Sequence, residues 1–543
     1  MSDDGVDRAR RHEVEEGRLV GAASGFDERA RSGPELEFYG GEWVSFLPVV
    51  IFLGMIVVTT LWWSSISDGA LWVPAFVAIL VPFFLARDKS RFADVVVRGM
   101  ASREAIIPVV AWIFAGVFSR VLRDTGLADA LAGVATSMHV GPTIFLVVTF
   151  VVSALFATAS GTGFGTIATG MAVLYPAGVL LGVHPGLLAG SVISGAAFGD
   201  NLAPVSDTTI VSATTQGVDV PGVVRSRFKY AMAASALTIA ALLVLPLWFH
   251  GAAQGVAEGQ QNLVPLVLLL PVAVTIWVAL RSGDIVIATS WGIVLTAMTA
   301  IAVGLMDVVQ IDVPDAARPA LLTVSGEGLD REVGGVIYTG IDSMLQVAVL
   351  ALLLFGSIAV MRAGRGDVRL LNALESVARG PRSAEFTIAA MITALSAVMG
   401  LNAPAILATG ASFAKPLGQR FGISPYRIAN LMDAISCTLV YSLPWTPAVI
   451  FTISFARDTS APLAATDATP FVVYAYAMMA VMIASILLGV GRGDNIAHAV
   501  AAMEERGEPV PEVYRRILAG ASRRDAVTAV HGDRAERSRT RGS

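Results

Sequence analysis

The stretch Phe198-Gly-Asp-Asn-Leu-Ala-Pro-Val-Ser-Asp-Thr-Thr209 places two carboxyl groups, one carboxamide and three hydroxyls between long apolar segments. Its apolar flanks indicate that it lies within a membrane domain, where a carboxylate near the bilayer centre costs about 2.5 to 3.5 kcal/mol. Pro204 disfavours an unbroken helix, because proline lacks the backbone donor and clashes with the preceding turn. The stretch therefore predicts a broken helix inside a membrane protein, and it indicates that the acidic residues have a functional role.

Composition outside this stretch points the same way. Of the 543 residues, 55% are hydrophobic and only 15% are charged, which is far more apolar than a soluble domain of this length. Helical spans need roughly 20 largely apolar residues. Ten stretches meet that test, at 45–65, 70–86, 105–119, 142–158, 229–249, 263–280, 285–306, 336–361, 384–401 and 470–491. Five less continuous segments, at 164–183, 187–199, 208–216, 402–414 and 428–456, are interrupted by Gly, Pro or Asp.

These segments predict an all-α polytopic membrane protein with about 10 to 13 transmembrane helices, some broken or re-entrant, in two inverted repeats. We expect a polar, cytosolic N-terminal tail over 1–44 and a transmembrane transporter domain over 45–491. Its halves would cover about 45–250 and 263–491. Residues 492–543 would form a cytosolic, partly disordered C-terminal tail.

The distribution of basic residues predicts the orientation of the domain, because cytoplasmic loops are rich in Lys and Arg. One such loop carries Arg225, Arg227 and Lys229, whereas the 307–335 loop is mostly acidic. We therefore expect the chain in the cell (plasma) membrane, with both termini cytoplasmic. The sequence does not determine the oligomeric state, and a homodimer is one possible assembly.

Several classes of protein are excluded by composition. The charged residues lie in the tails and short connections, so no nucleic-acid surface is expected. One cysteine, Cys437, excludes an intramolecular disulfide, and the six histidines show no zinc-binding spacing. We expect no cofactor and no enzymatic activity, with the lipid bilayer as the surrounding phase.

The first polar break begins before the quoted stretch, at Ala159-Ser-Gly-Thr-Gly-Phe-Gly-Thr-Ile-Ala-Thr169. Its glycines weaken a helix, and backbone carbonyls freed in lipid must find other partners. Its carbonyls and the hydroxyls of Ser160, Thr162 and Thr166 could coordinate a cation. The alternative is close helix packing through Gly161 and Gly165.

Asp200 is the strongest candidate for a functional acid. Burial favours the protonated form of a carboxyl group and an arriving Na⁺ favours the ionised form, so one carboxyl can hold either ion but not both well. This competition is the chemistry of antiport. For Asp207 two interpretations stay open, an ion ligand or a helix N-cap within Ser206-Asp-Thr-Thr209.

A second polar break lies between 402 and 447. It begins with Asn402-Ala-Pro404, continues in an apolar helix that carries Asn430, Asp433, Ser436 and Thr438, and ends at Ser442-Leu-Pro-Trp-Thr-Pro447. Two broken, polar segments in corresponding positions of two halves indicate a transporter site at a repeat interface.

At these residues the chain resembles the NhaC-type sodium/proton antiporters, of the ion-transporter superfamily. Ser194 to Thr209 is similar to the family's stretch of Gly-Asp, Ser/Ala-Pro and Ser-Asp-Thr-Thr, and Asp433 followed by Pro444-Trp445 is similar to its second-half motif. The resemblance implies secondary antiport driven by an ion gradient, on a fold with inverted repeats. Two positions depart from the family: Asn201 where Lys is common, and Met432 where an acidic residue is usual.

We therefore interpret the chain as a secondary transporter that exchanges Na⁺ for protons. Asp200, Asp433 and Asp207 would be the ion-binding groups and proton carriers, with Na⁺ held at Asp200 and Asp433. Supporting polar ligands are expected from Ser160, Thr162, Thr166, Asn201, Ser206, Thr208, Thr209, Asn402, Asn430 and Ser436.

Three other functions remain open. An exchanger of small organic acids such as malate or lactate needs a fixed cation, and the nearest candidates by sequence, Lys415 and Arg420, lie outside both Asp clusters. An intramembrane protease needs two Asp side chains that share a hydrogen bond. A channel needs only a lined pore, and its flux would not depend on Asp433.

Overall fold

The computed structural model describes most of the chain, and the helices and strands below lie within that part. The described residues are 35–63, 71–204, 206–251, 262–282, 284–312, 318–326, 331–366, 369, 378–457 and 459–530. The predicted N-terminal tail over 1–44 therefore lies largely outside the described residues.

The first half of the chain is helical. Its α-helices are α1 (Leu47–Trp63), α2 (Trp72–Leu85), α3 (Lys89–Met100), α4 (Arg103–Asp124), α5 (Leu127–Ser137), α6 (Pro142–Ser160), α7 (Gly163–Leu180), α8 (Pro185–Leu202), α9 (Asp207–Gln216) and α10 (Val220–Val244).

The second half is also helical, except for one small sheet. Its elements are α11 (Leu269–Ser282), α12 (Ile285–Ala302), β1 (Asp307–Ile311), β2 (Ala320–Ser325), β3 (Glu332–Gly334), α13 (Val336–Ala363), α14 (Pro381–Met399), α15 (Asn402–Thr409), a π-helical segment (Gly410–Ala414), α16 (Lys415–Arg420), α17 (Pro425–Ser442), α18 (Pro447–Ala456), α19 (Ala465–Ala468), α20 (Val473–Leu488), α21 (Ile496–Glu505) and α22 (Glu512–Leu518).

The helices have the length and apolar composition that a bilayer requires. Six helical stretches within the described residues are long and apolar enough to span a membrane, and a seventh span arises if α19 and α20, bent by 45°, count as one. Five shorter apolar helices accompany them. These features confirm the predicted all-α polytopic membrane protein, whereas the inverted relation of its halves stays a prediction.

Each half contains two breaks, and each break has a local cause. Gly161 and Gly400 end α6 and α14 in the left-handed conformation, with φ of 69° and 65°, which glycine adopts without strain. The second break of each half lies at 203–206 after α8 and at 443–446 after α17. The irregular segment predicted over 428–456 is therefore two helices.

Three pairs of helices around the breaks match in length, whereas α7, with 18 residues, corresponds in order to the shorter α15, with 8. Helices α6 and α14 have 19 residues each, α8 and α17 have 18 each, and α9 and α18 have 10 each. Helices α8 and α17 both start at a proline, Pro185 or Pro425, which suits the first helical turn. The order of features seen in sequence therefore recurs among the helices, and the repeat relation of the two halves stays a prediction.

Close helix packing holds the first break in place. A Cβ at Gly199 would lie 2.0 Å from Cβ of Ala157, so α8 approaches α6 as only glycine permits. Gly161 ends one helix and Gly165 lies in the next, so these two glycines do not share a helix face. The close packing comes from α8 instead.

Two elements outside the membrane helices differ from expectation. The loop expected to face outward forms a three-stranded sheet, in which β1 and β2 are parallel and β2 and β3 antiparallel. The C-terminal segment forms α21 and α22, and Tyr514 in α22 donates a hydrogen bond of 2.7 Å to the carbonyl of Ile423. The rest of the C-terminal tail that was predicted to be partly disordered, residues 531–543, lies outside the described residues.

We expect Gly195→Ala to lower the melting temperature of the purified protein, whereas Gly54→Ala should keep or raise it. A Cβ at Gly195 would lie 2.4 Å from Cβ of Ser153 and 2.7 Å from the carbonyl oxygen of Phe150, and such overpacking costs about 1 to 3 kcal/mol. At Gly54 nothing lies within 4 Å, and alanine favours a helix by about 1 kcal/mol. Thermal unfolding in detergent, followed by size-exclusion chromatography, measures both; equal melting would contradict the close packing.

Candidate functional site

Asp200, in the last turn of α8, lies at the centre of a buried polar cluster. Its Oδ1 accepts a hydrogen bond of 2.7 Å from the hydroxyl of Ser206. Its Oδ2 accepts from Asn402 Nδ2 at 3.0 Å and from the Tyr441 hydroxyl at 2.9 Å. The carboxyl is 6% exposed. Within the described residues no basic nitrogen lies within 4 Å of it, so its hydrogen-bond partners are neutral.

The break at 203–206 brings Ser206 back toward Asp200. Ser206 occupies the N-cap position of α9, yet its side chain makes no capping bond. Its hydroxyl instead contacts Thr208 Oγ1 at 2.9 Å, and either hydroxyl can be the donor. Thr208 Oγ1 in turn donates to the carbonyl of Asp200 at 3.5 Å. Because hydroxyl groups both donate and accept hydrogen bonds, the linked hydroxyls of Ser206 and Thr208 can form hydrogen bonds with either the ionised or the protonated Asp200.

Asp433, in the middle of α17, has a different partner. Arg227 Nη1 lies 2.6 Å from Asp433 Oδ2, and both side chains are 0% exposed. The Thr209 hydroxyl also donates to Oδ2, at 3.2 Å. Arg227 donates further bonds to Thr209 Oγ1, to the carbonyl of Asn201 and to Asn430 Oδ1. The second acid is therefore held in a buried, hydrogen-bonded ion pair.

This pair corrects two expectations. The basic pattern placed Arg227 in a cytoplasmic loop, but α10 begins at Val220, so Arg227 is two turns inside a helix and buried. The expectation that no fixed cation lies at the site, with Lys415 and Arg420 as the nearest, is wrong. Lys415 lies 3.7 Å from Glu508, and Arg420 is exposed.

Cys437, one turn after Asp433, contacts both acids. Its Sγ lies 3.5 Å from Asp433 Oδ1 and 3.8 Å from Asp200 Oδ2. Within the described part of the chain, no direct hydrogen bond joins the two carboxyl groups. In a catalytic dyad two carboxyl groups share one proton. Asp433 is paired with Arg227 instead, so it is not arranged to share a proton with Asp200. The geometry thus disfavours the protease.

The glycine-rich break at 159–169 lies beside this cluster, but its hydroxyl groups form hydrogen bonds with the backbone at the start of α7. A Cβ at Gly163 would lie 1.9 Å from the Tyr441 hydroxyl, so α7 begins against a partner of Asp200. Thr162 Oγ1 caps α7 by accepting from the amide of Gly165, and Ser160 Oγ accepts from the amide of Thr162. Thr166 Oγ1 donates to the Thr162 carbonyl.

The remaining predicted ligands divide into two groups. Asn430 lies at the ion pair and donates to the Ser226 hydroxyl, and Ser436 donates to the carbonyl of Asp433 at 2.8 Å. Asp207 is exposed, and its Oδ1 accepts from the amide of Thr208 at 2.8 Å. Asp207 is therefore positioned as a residue of the helix start and not in the buried cluster.

Arg227, Tyr441 and Cys437 are the site residues that sequence reasoning missed. The buried face of α10 contains Val223, Ser226, Arg227, Tyr230, Ala231 and Ala234. That three-to-four-residue spacing placed Arg227 on an inward face and could have identified it. Tyr441 and Cys437 are apolar enough to pass as core residues, and no sequence signal distinguished them.

Two hydrogen-bond donors at the site have no acceptor. Arg227 Nη2 and Asn201 Nδ2 are buried, and neither has a hydrogen-bond partner among the described residues. Nη1 of the same guanidinium donates to the carbonyl of Asn201, so both donors belong to one neighbourhood. Buried donors are nearly always paired, so a bound acceptor, such as a water molecule or a carboxylate, would satisfy both.

Comparison with known proteins identifies the relatives of this chain. Residues 40–252, which include Asp200 and Arg227, match the profile of the Na⁺/H⁺ antiporter family. The Na⁺/H⁺ antiporter NhaC of Alkalihalophilus pseudofirmus is 24% identical over 419 residues, which are 72% of this chain and 85% of that protein. The chain is therefore similar to the NhaC-type sodium/proton antiporters.

Another relative is named for organic acids in addition to Na⁺ and protons. The malate-2H⁺/Na⁺-lactate antiporter of Bacillus subtilis is 28% identical over 209 residues, which are 37% of this chain and 42% of that protein. The match therefore spans less than half of that relative. NhaC of Bacillus subtilis is 24% identical over 344 residues, covering 59% of this chain and 70% of that protein. All three of these relatives are named as antiporters.

Cys437 is the single cysteine of the chain, so its alkylation reports directly on the site. We expect N-ethylmaleimide to label Cys437 on the order of ten times or more slowly than an exposed thiol, because its sulfur is buried between the two acids. The control is the exposed position Ser137, as Ser137→Cys in a Cys437→Ala background. Mass spectrometry of the native protein, with denatured protein as the total, measures both rates; equal rates would contradict the burial of Cys437.

Proposed function

We propose that the chain is a sodium/proton antiporter in which the carboxyl of Asp200 binds either a proton or Na⁺. One observation carries this proposal: Asp200 is buried among neutral donors and lacks a basic partner within the described residues. A buried carboxylate without a counter-charge is strongly unfavourable. Asp200 therefore needs a proton or a metal cation whenever the site is closed.

The surrounding hydroxyls suit both forms. When Asp200 is protonated, the Ser206 hydroxyl can accept a hydrogen bond from the carboxyl group and donate its own hydrogen bond to Thr208. When Asp200 is ionised, Ser206 donates to it, and oxygens of Asp200, Ser206 and Thr208 are available to Na⁺, a cation that prefers oxygen ligands. The competition between the two ions couples their movements.

The broken helices supply the element that changes state. Antiport requires two conformations that open the site to opposite sides, and the ions shift the balance only by binding them differently. Asp200 is contacted from α15 by Asn402 and from α17 by Tyr441, so a movement between the halves would alter its surroundings. We propose that this site lies near the middle of the cell membrane, with both tails cytoplasmic.

We expect Asp200→Asn to abolish Na⁺-triggered proton release, because an amide cannot exchange a proton for a cation. Asp207→Asn is the matched control and should keep the rate within about twofold, as exposed substitutions usually do. Everted membrane vesicles with an imposed ΔpH, given Na⁺, Li⁺ and then K⁺, measure the response through a pH-sensitive dye. Full activity of Asp200→Asn at a normal expression level would overturn the proposal.

A second function is favoured by the unpaired donors near Asp433. Arg227 Nη2 and Asn201 Nδ2 could bind the carboxylate of a small organic acid, and planar guanidinium groups suit carboxylates. The relative from Bacillus subtilis is named for malate and lactate. In this alternative the chain exchanges an organic acid together with Na⁺ and protons.

For this second function we expect malate or lactate to change the Na⁺-driven pH signal in the same vesicles. Arg227→Lys should weaken that change, because lysine keeps the charge but offers no second planar donor. Uptake of radiolabelled malate measures the substrate directly. If neither acid is transported nor alters the signal, this candidate is removed and the cation exchanger stands.

A further inference from the structure

The two buried acids of the site differ in what neutralises them. Asp433 lies 2.6 Å from Arg227 Nη1, with both side chains fully buried. Asp200 contacts Ser206, Asn402 and Tyr441, which carry no charge. One acid therefore has a permanent counter-cation in the protein, and the other must receive its counter-charge from an ion.

Arg227 is fixed to Asp433 by more than the ion pair. The same Nη1 also donates to Thr209 Oγ1 at 3.0 Å, and Nε donates to Asn430 Oδ1 at 3.4 Å. Thr209 donates in turn to Asp433 Oδ2. Separating the partners of a buried ion pair leaves an uncompensated charge on each, so opening the pair between Arg227 and Asp433 would be costly.

We propose that Arg227 restricts the exchange to one proton for each Na⁺, so that transport is electroneutral. This inference rests on the proposed sodium/proton antiport at Asp200. Arg227 acts as a positioning residue: it pairs with Asp433 and leaves Asp200 as the one carboxyl of the described buried cluster without a basic partner.

The charges balance in each half of the cycle. With Na⁺ bound, the ionised Asp200 and the cation sum to zero, and Asp433 with Arg227 also sum to zero. With a proton bound, Asp200 is neutral, and the pair is unchanged. Sodium binding releases the proton from Asp200 to the same side, and the reverse exchange follows on the other side. Both loaded forms carry the same net charge, so neither crossing moves charge through the membrane.

Without Arg227 the outcome would differ. Both carboxyl groups contact the same Cys437 sulfur, at 3.5 and 3.8 Å, and are thus near neighbours. Two such carboxyls with no fixed cation would hold two protons, and one Na⁺ could displace both. That exchange moves one net charge in each cycle.

The test uses the purified full chain in proteoliposomes, with ²²Na⁺ uptake driven by an acidic interior. Valinomycin and K⁺ gradients set the membrane potential to zero or to about 120 mV of either sign. A cycle that moves one charge shifts the final Na⁺ ratio on the order of 100-fold at that potential, since about 59 mV corresponds to tenfold. We expect the final ratio to be equal at all three potentials. This expectation holds for either orientation of the protein in the vesicle.

Two variants test the role of Arg227. In Arg227→Gln we expect either a potential-dependent Na⁺ ratio or no transport. In the double variant Arg227→Gln/Asp433→Asn, which removes both charges and keeps Asp200, we expect exchange that is again independent of potential. A potential-dependent ratio in the wild type, or in the double variant alone, overturns this inference and leaves sodium/proton antiport intact. Absence of any Na⁺-driven proton movement in the wild type overturns the antiport proposal and this inference together.

Discussion

The buried ion pair between Arg227 and Asp433 is the interaction on which the rest of the site depends. It joins α10 of the first half to α17 of the second, and its members also hold Thr209 and Asn430. A buried pair contributes little net stability, because desolvation offsets attraction, but breaking it is costly. Its effect is therefore to keep two helices and one acid in a single arrangement, next to an acid that lacks a cation.

Much of the fold could be predicted from hydropathy and from glycine and proline alone. The apolar stretches gave helices close to their expected bounds, and Gly161 and Gly400 end helices within a few residues of the expected breaks. The sheet at 307–334 was missed because short strands between membrane helices leave no hydropathy signal. The C-terminal helices α21 and α22 were missed because they have only 10 and 7 residues and so fall below the length test for a membrane span.

The acids of the site could be named from sequence, but their surroundings could not. A carboxyl within an apolar helix is conspicuous, and Asp200 and Asp433 were chosen on that basis. Their partners come from distant positions: Asn402 reaches Asp200, and Arg227 reaches Asp433. Asn201 stands where the family commonly has Lys, and the positively charged Arg227 donates a hydrogen bond to its carbonyl. Local patterns carry no information on such pairings.

The matched lengths of the broken helices have a consequence for the energetics of the cycle. Helices α8 and α17 both have 18 residues, yet Asp200 occupies the last turn of one and Asp433 the middle of the other. The scaffold is nearly symmetric, and the chemistry placed on it is not. In the proposed transport cycle, the states open to the two sides of the membrane would therefore differ in free energy, and one of them would predominate before any gradient is applied.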